Sequence, residues 1–118
     1  MSGDLDLSTT HEGSCAVVSV GGEIDPDTAG ELADAALTAM REIGPSLVLD
    51  LSGVTFMDST GLKVLLAVHR RAQLAGGRLV LAGATRPVKR VVSITGLDET
   101  FVVRENVEAA VAIFGTED

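Results

Sequence analysis

Asp58, Ser59 and Thr60 stand in a row directly before Gly61-Leu62, where apolar residues at helical spacing begin. Side chains of these types at a helix start accept hydrogen bonds from backbone N–H groups that lack an intrahelical partner. One such cap serves one helix, so Asp58 and Ser59 compete for the role. Capping by Ser59 is the purely structural use of its hydroxyl. The other use is phosphorylation. A helix N-terminus accepts a dianion through its free N–H groups and its dipole, so the modification is cheap for the fold. It would add about −1.5 to −2 charge beside Asp58 and leave the helix intact. A partner placing acidic or tightly packed groups against Ser59 would then be expelled. The bare Gly61 next to this polar run predicts a surface that another molecule approaches closely.

Other chemistry is less well supported by spacing. Ser59, His69 and Asp58 contain the residue types of a hydrolase triad. His69, however, is ten residues on from Ser59, about 15 Å along a helix axis, and it falls on the apolar stripe. A Gly-x-Ser-x-Gly elbow is missing, so the chain is expected not to be an enzyme. Asp50 ends an apolar strand as the acceptor of an aspartate-phosphorylated receiver domain does, but the acidic cluster and late Lys of such a site are not visible. Asp50 is instead expected to fix the following loop by hydrogen bonding. Arg86, Lys89 and Arg90 form a basic stretch that reads as a solvated helix face, with an anion site as the rival reading. No phosphate-binding glycine loop is present. His11, Cys15 and His69 make no zinc set, so no metal or cofactor is expected.

Composition narrows the partners. The chain has 118 residues and 46% apolar content, enough for one domain with a packed core. The single domain is expected to span residues 1–118. Nine basic against 17 acidic residues give a net charge of −8. That surface repels phosphate backbones and anionic lipid, so neither nucleic acid nor a membrane is an expected partner. Phe56, Phe101 and Phe114 are the whole aromatic content, too little for base stacking. Cys15 stands alone in a strand-like run, where it reads as a small hydrophobe. Met1 to Asp6 is polar and acidic, unlike a secretory leader. No apolar run approaches the roughly 20 residues that span a bilayer. The expected location is the cytoplasm.

The elements that would position Ser59 alternate between strand and helix. Leu5 and Leu7, a turn at His11–Ser14 and the β-branched run Cys15–Val20 predict an opening hairpin, ended by Gly21–Ile24. Asp25 before Pro26, followed by Asp27, predicts a helix capped by Asp25. It carries Leu32, Ala36, Leu37, Met40 and Ile43, and stops at Gly44-Pro45. Ser46–Leu51 predicts a strand buried on both faces, with a loop over Gly53–Asp58. A helix over Ser59–Ala75 follows, then a strand at Arg78–Ala82, a short helix at Pro87–Thr95, a strand at Thr100–Val103, and a final helix from an Asn106 cap to Phe114. Helices between apolar strands require crossovers, so the later strands are expected to be parallel. The fold class is α/β: a mixed sheet of about 4–5 strands, antiparallel at the hairpin and parallel afterwards, with about 4 helices. The loops Gly21–Asp25 and Gly53–Leu62 open beyond the C-terminal strand ends, where ligands and partners bind in such sheets.

Leu49-Asp50-Leu51-Ser52-Gly53-Val54-Thr55-Phe56-Met57-Asp58-Ser59-Thr60-Gly61-Leu62 resembles the signature of STAS-domain proteins, in particular bacterial anti-sigma factor antagonists. Gly22-Glu23-Ile24-Asp25 is similar to the family's second motif. The run through Gly77, Val80, Ala82, Val88, Leu97 and Phe101 resembles the family's tail. The resemblance covers nearly the whole chain and is weakest before Cys15. It implies the STAS fold and a regulatory role. In that family the unphosphorylated antagonist binds an anti-sigma factor that is also a serine kinase, and the sigma factor goes free. The kinase phosphorylates the serine after the Asp, here Ser59, and a serine phosphatase resets it. By the same resemblance Glu23, Asp25, Asp58, Ser59, Thr60 and Gly61 are expected at the partner surface. Some members instead serve stress-signalling complexes as interaction or small-ligand-binding modules, and that reading stays open here.

Overall fold

The computed structural model describes residues 4–115. Residues 1–3, part of the stretch read as lacking a leader, lie outside them. The elements are β1 (Asp6–Glu12), β2 (Cys15–Ile24), α1 (Ala29–Glu42), β3 (Leu47–Met57), α2 (Ser59–Leu74), β4 (Leu79–Ala82), α3 (Arg86–Ile94), β5 (Val102–Arg104) and α4 (Val107–Gly115). The five strands form one sheet in the order β1-β2-β3-β4-β5. β1 and β2 are antiparallel, and β2 through β5 run parallel. The expected mixed sheet is thus present, with five strands and four helices among the described residues. No helix among the described residues is long and apolar enough to cross a membrane.

Strand periodicity sorts the apolar side chains onto two faces. Ala16, Val18, Leu47, Leu49, Leu79 and Leu81 meet Leu32 of α1, Leu65 of α2 and Val88 of α3. Their alternating neighbours Cys15, Val17, Val48, Val80 and Ala82 meet Ala110 of α4. Consecutive parallel strands joined by right-handed crossovers put three helices on one face, and α4 covers the other. This explains why β2, β3 and β4 read as near-continuous apolar runs. Each leucine sealed in this way contributes about 1.5–3 kcal/mol relative to exposure, and most of the sheet's leucines are fully buried.

Two boundaries differ from expectation in a way that matters. Gly21–Ile24 does not end β2 but continues it, and Gly53–Met57 is strand rather than loop. The two segments pair with each other: Gly21 with Gly53, Gly22 with Val54, Glu23 with Phe56 and Ile24 with Met57. The register shifts twice on the way, each time because β3 carries an extra residue. Such bulges bend and twist the strand that bears them. Gly22 sits at φ 108°, a backbone region that side chains disfavour. A glycine-rich sequence therefore reads as turn, while pairing with a distant segment keeps it extended. The result is a two-stranded tongue that carries the start of α2 beyond the rest of the sheet.

The α1 start is also displaced. The helix begins at Ala29, not at Pro26, and Asp25 caps the turn before it. Asp25 Oδ1 accepts from Asp27 N at 2.9 Å and Thr28 N at 3.2 Å, while Thr28 Oγ1 accepts from Asp25 N at 3.0 Å. This reciprocal pair has the logic of a capping box, but it closes a single turn that then feeds α1. Asn106 behaves as expected, its Oδ1 accepting from Ala109 N at 2.8 Å. Asp50 also behaves as expected. Its Oδ1 accepts from Ser52 N at 3.1 Å and from Ser52 Oγ at 2.8 Å, just before the first bulge.

Candidate functional site

The site lies where the β2–β3 tongue ends and α2 begins. Ile24 and Met57 are the last paired residues of the two strands. Asp58 N donates to Ile24 O at 3.2 Å, which locks the two strand ends side by side. The expected neighbours Glu23 and Asp25 are thereby brought next to Asp58 and Ser59. Beneath them Thr28 is buried, and its hydroxyl donates to Glu23 O at 2.7 Å. Sequence reading passed over Thr28. The signal was the Asp25-x-x-Thr28 spacing, which permits the reciprocal bonds found here.

The competition for the α2 cap has a clear outcome. Asp58 is the N-cap, with extended backbone at φ −109°, ψ −169°, and its side chain accepts from Thr60 N at 2.9 Å. The Thr60 hydroxyl donates to the same Asp58 oxygen. Asp58 O closes the first turn by accepting from Gly61 N at 3.1 Å and Leu62 N at 3.3 Å. Ser59 takes no part. It is the first residue of α2, it is exposed, and its hydroxyl makes no hydrogen bond with any described residue. The capping role is filled by its neighbour, so the Ser59 oxygen is left to solvent. Thr60 is half-buried and held by Asp58, so it forms the rim of the site.

Gly61 is not on that rim. It is buried, and a Cβ there would stand 2.6 Å from Met57 Cγ and 2.7 Å from Ile24 Cγ2. Its missing side chain makes room for the protein's own strand ends and not for an approaching molecule, which corrects the sequence reading. The close seating is what sets the direction of the first turn of α2 over the tongue, and with it the direction of Ser59.

Charge is unevenly distributed around this end of the sheet. Glu23, Asp25 and Asp27 lie on the β2–α1 side of Ser59 and Asp58 directly precedes it, all exposed or half-buried. Phe56, paired across to Glu23, projects outward and is 45% exposed. From the sequence, Phe56 counts as one of three aromatics and as part of the signature, with no place at the surface assigned to it. The bulge beside it turns the ring away from the core.

The residue types of a hydrolase triad are not assembled. His69 sits nearly three turns from Ser59 on α2, half-buried edge-on to Phe101 with ring centroids 5.6 Å apart. Cys15, the first residue of β2, is buried on the sheet face that α4 covers, and desolvation pushes its thiol up to about 11. No group of three or more His, Cys, Asp or Glu residues among the described ones is placed to hold a metal.

The chain as a whole is similar to known proteins. A family model described as "Mlab, STAS domain" matches residues 2–105. The anti-sigma-B factor antagonist of Staphylococcus aureus (strain NCTC 8325 / PS 47) is 33% identical over 106 residues, which cover 89% of this chain and 97% of that protein. The anti-sigma-F factor antagonist RsfB of Mycobacterium tuberculosis is 39% identical over 98 residues, covering 82% of this chain and 79% of that one. The crystal structure of an anti-sigma factor antagonist from Mycobacterium paratuberculosis is 34% identical, covers 92% of both chains and has a TM-score of 0.82.

Proposed function

The chain belongs to the STAS domain family, and from that premise we propose that it is an anti-sigma factor antagonist switched by phosphorylation of Ser59. In its unphosphorylated form it binds an anti-sigma factor that is also a serine kinase, and the sigma factor is released. Phosphate on Ser59 ends that binding, and a serine phosphatase restores it. The setting is the cytoplasm, where a sigma factor acts.

The observation that carries this reading is the free hydroxyl. Ser59 is exposed at the first position of α2 while Asp58 does the capping. A kinase can therefore take the Ser59 oxygen without removing a bond that the fold needs. The phosphoryl group arrives at the positive end of a helix, which offsets part of its cost within the chain. It also brings about −1.5 to −2 charge to a surface that already holds Asp58, Glu23 and Asp25. A partner fitted to the unmodified surface loses contact and gains repulsion. About 1.4 kcal/mol suffices for each tenfold loss of affinity, so a coupling of a few kcal/mol converts a stable complex into a transient one. Glu23 and Asp58 supply the acidic edge of the docking surface, Thr60 its rim, and Asp25 holds the turn in place.

The test is incubation with candidate kinase–anti-sigma proteins and ATP, followed by mass mapping. Acid-stable phosphate on Ser59, lost in Ser59→Ala, is the expected result. Phosphate on another residue, or an acid-labile acyl phosphate on Asp50, overturns the assignment.

A further inference from the structure

Beside the acidic edge lies a second feature that the switch does not use. Phe56 and Met57 at the end of β3 line one cavity together with Arg86, Pro87, Arg90 and Val91 of α3. Met57 is buried and Val91 half-buried against the core, so they form an apolar floor. Phe56 stands over it as one wall. Arg86 and Arg90 are one helical turn apart, hence on the same face of α3. Both are exposed, and neither makes an ion pair or a hydrogen bond with a described residue. Lys89 turns away, lining a separate cavity with Asp98. The geometry is fixed to the switch site, because Thr85 Oγ1, at the start of α3, donates to Val54 O on the tongue at 2.8 Å.

We propose that this Phe56–Arg86–Arg90 groove receives an acidic amphipathic segment of the protein partner, an apolar side chain seated on Met57 and Val91 and flanking carboxylates paired with the two arginines. The partner's identity rests on the reading given under Proposed function, but the groove's chemistry does not. Charge complementarity selects the occupant. The chain carries a net charge of −8, yet α3 contains no acidic residue and offers two unpaired guanidiniums at one rim. Guanidinium forks favour carboxylates geometrically as well as electrostatically. A polyanion such as nucleic acid would meet the surrounding acidic surface, and two cations do not outweigh it. The docking face is thus bipolar: acidic on the Glu23–Asp58 side of Ser59, basic on the α3 side. A bipolar face fixes the orientation of its partner, because the reversed pose sets like charges together on both sides.

The test uses the full chain, isotope-labelled, titrated with a short synthetic peptide that has leucine and phenylalanine on one face and aspartate and glutamate on the other. A peptide with lysine in place of the acids and a single-stranded DNA oligonucleotide are the comparison arms. The expected result is amide shifts centred on Phe56, Met57 and Arg86–Val91 with the acidic peptide alone. Affinity should fall at least tenfold in Arg86→Glu/Arg90→Glu and in the milder Arg86→Gln/Arg90→Gln, and should weaken with added salt. Phe56→Ala should weaken it as well. Shifts centred on another surface, equal binding of the lysine peptide, preferential binding of DNA, or undiminished binding by both arginine double variants overturns the proposal. Because no kinase is involved, a failure here is distinguishable from a failure of Ser59 to accept phosphate.

Discussion

Removing the Ser59 hydroxyl and removing the Asp58 carboxylate should have unequal effects on stability, although the two residues are adjacent at one helix start. Asp58 Oδ1 accepts from Thr60 N at 2.9 Å and also from the Thr60 hydroxyl. Loss of an N-cap of this kind costs about 0.5–2 kcal/mol, typically about 1, and the Thr60 donor is stranded as well. Ser59 is exposed and makes no such bond, so Ser59→Ala should stay within about 0.5 kcal/mol of the parent. With unfolding entropy of about 2.1 cal/mol/K per residue, the 118-residue chain converts 1 kcal/mol into a shift of about 4 °C in Tm. Asp58→Ala should therefore melt about 2–8 °C below the parent, and Ser59→Ala within about 2 °C of it. Parallel scanning calorimetry or thermal circular dichroism reads both. If Ser59→Ala fell as far as Asp58→Ala, the serine oxygen would be part of the cap, and a phosphoryl group there would disrupt the fold instead of decorating it.

Gly61→Ala should destabilise by about 1–3 kcal/mol in urea unfolding, the usual cost of overpacking, because its Cβ would crowd Met57 and Ile24. A neutral result would show that α2 is not seated on the strand ends. Thr28→Val keeps the volume but strands Glu23 O and Asp25 N, so a loss of about 1–3 kcal/mol is expected by the same assay. No change would mean that Thr28 does not hold the acidic turn. Cys15, whose thiol burial pushes up to about 11, stays neutral in the fold at pH values where the unfolded chain ionises. Its contribution is complete below about pH 9 and fades as pH rises toward about 11, a loss of about 2–3 kcal/mol. Stability curves of parent and Cys15→Ala across that range should therefore converge as pH rises. A constant difference contradicts the burial argument.

Most of the architecture was legible from residue pattern. The apolar runs around Val18, Leu49 and Val80, separated by helical stripes, required parallel strands with crossovers, and those are the strands found. The signals at Asn106, Asp50 and Gly44-Pro45 were local, and local chemistry decided them. What escaped depended on pairing across the chain. Gly21–Ile24 and Gly53–Met57 look like turns in isolation, and only each other's backbone makes them strand. Gly61 reads as an open surface until Ile24, distant in sequence, joins the nearby Met57 in filling the space. The start of α1 moved because Thr28 answered the Asp25 cap with a bond of its own. At the site, residue types identified Ser59, but Asp58 and Ser59 competed for the cap until the geometry gave it to Asp58. Phe56 and Arg86 came together only through the fold.

The most direct test of the switch is the affinity of the kinase–anti-sigma partner for the chain carrying phosphoserine at position 59, measured beside the unmodified chain by titration calorimetry. The account predicts a loss of at least tenfold with an unchanged far-UV spectrum. Equal affinity for the two forms, or a loss accompanied by unfolding, contradicts it.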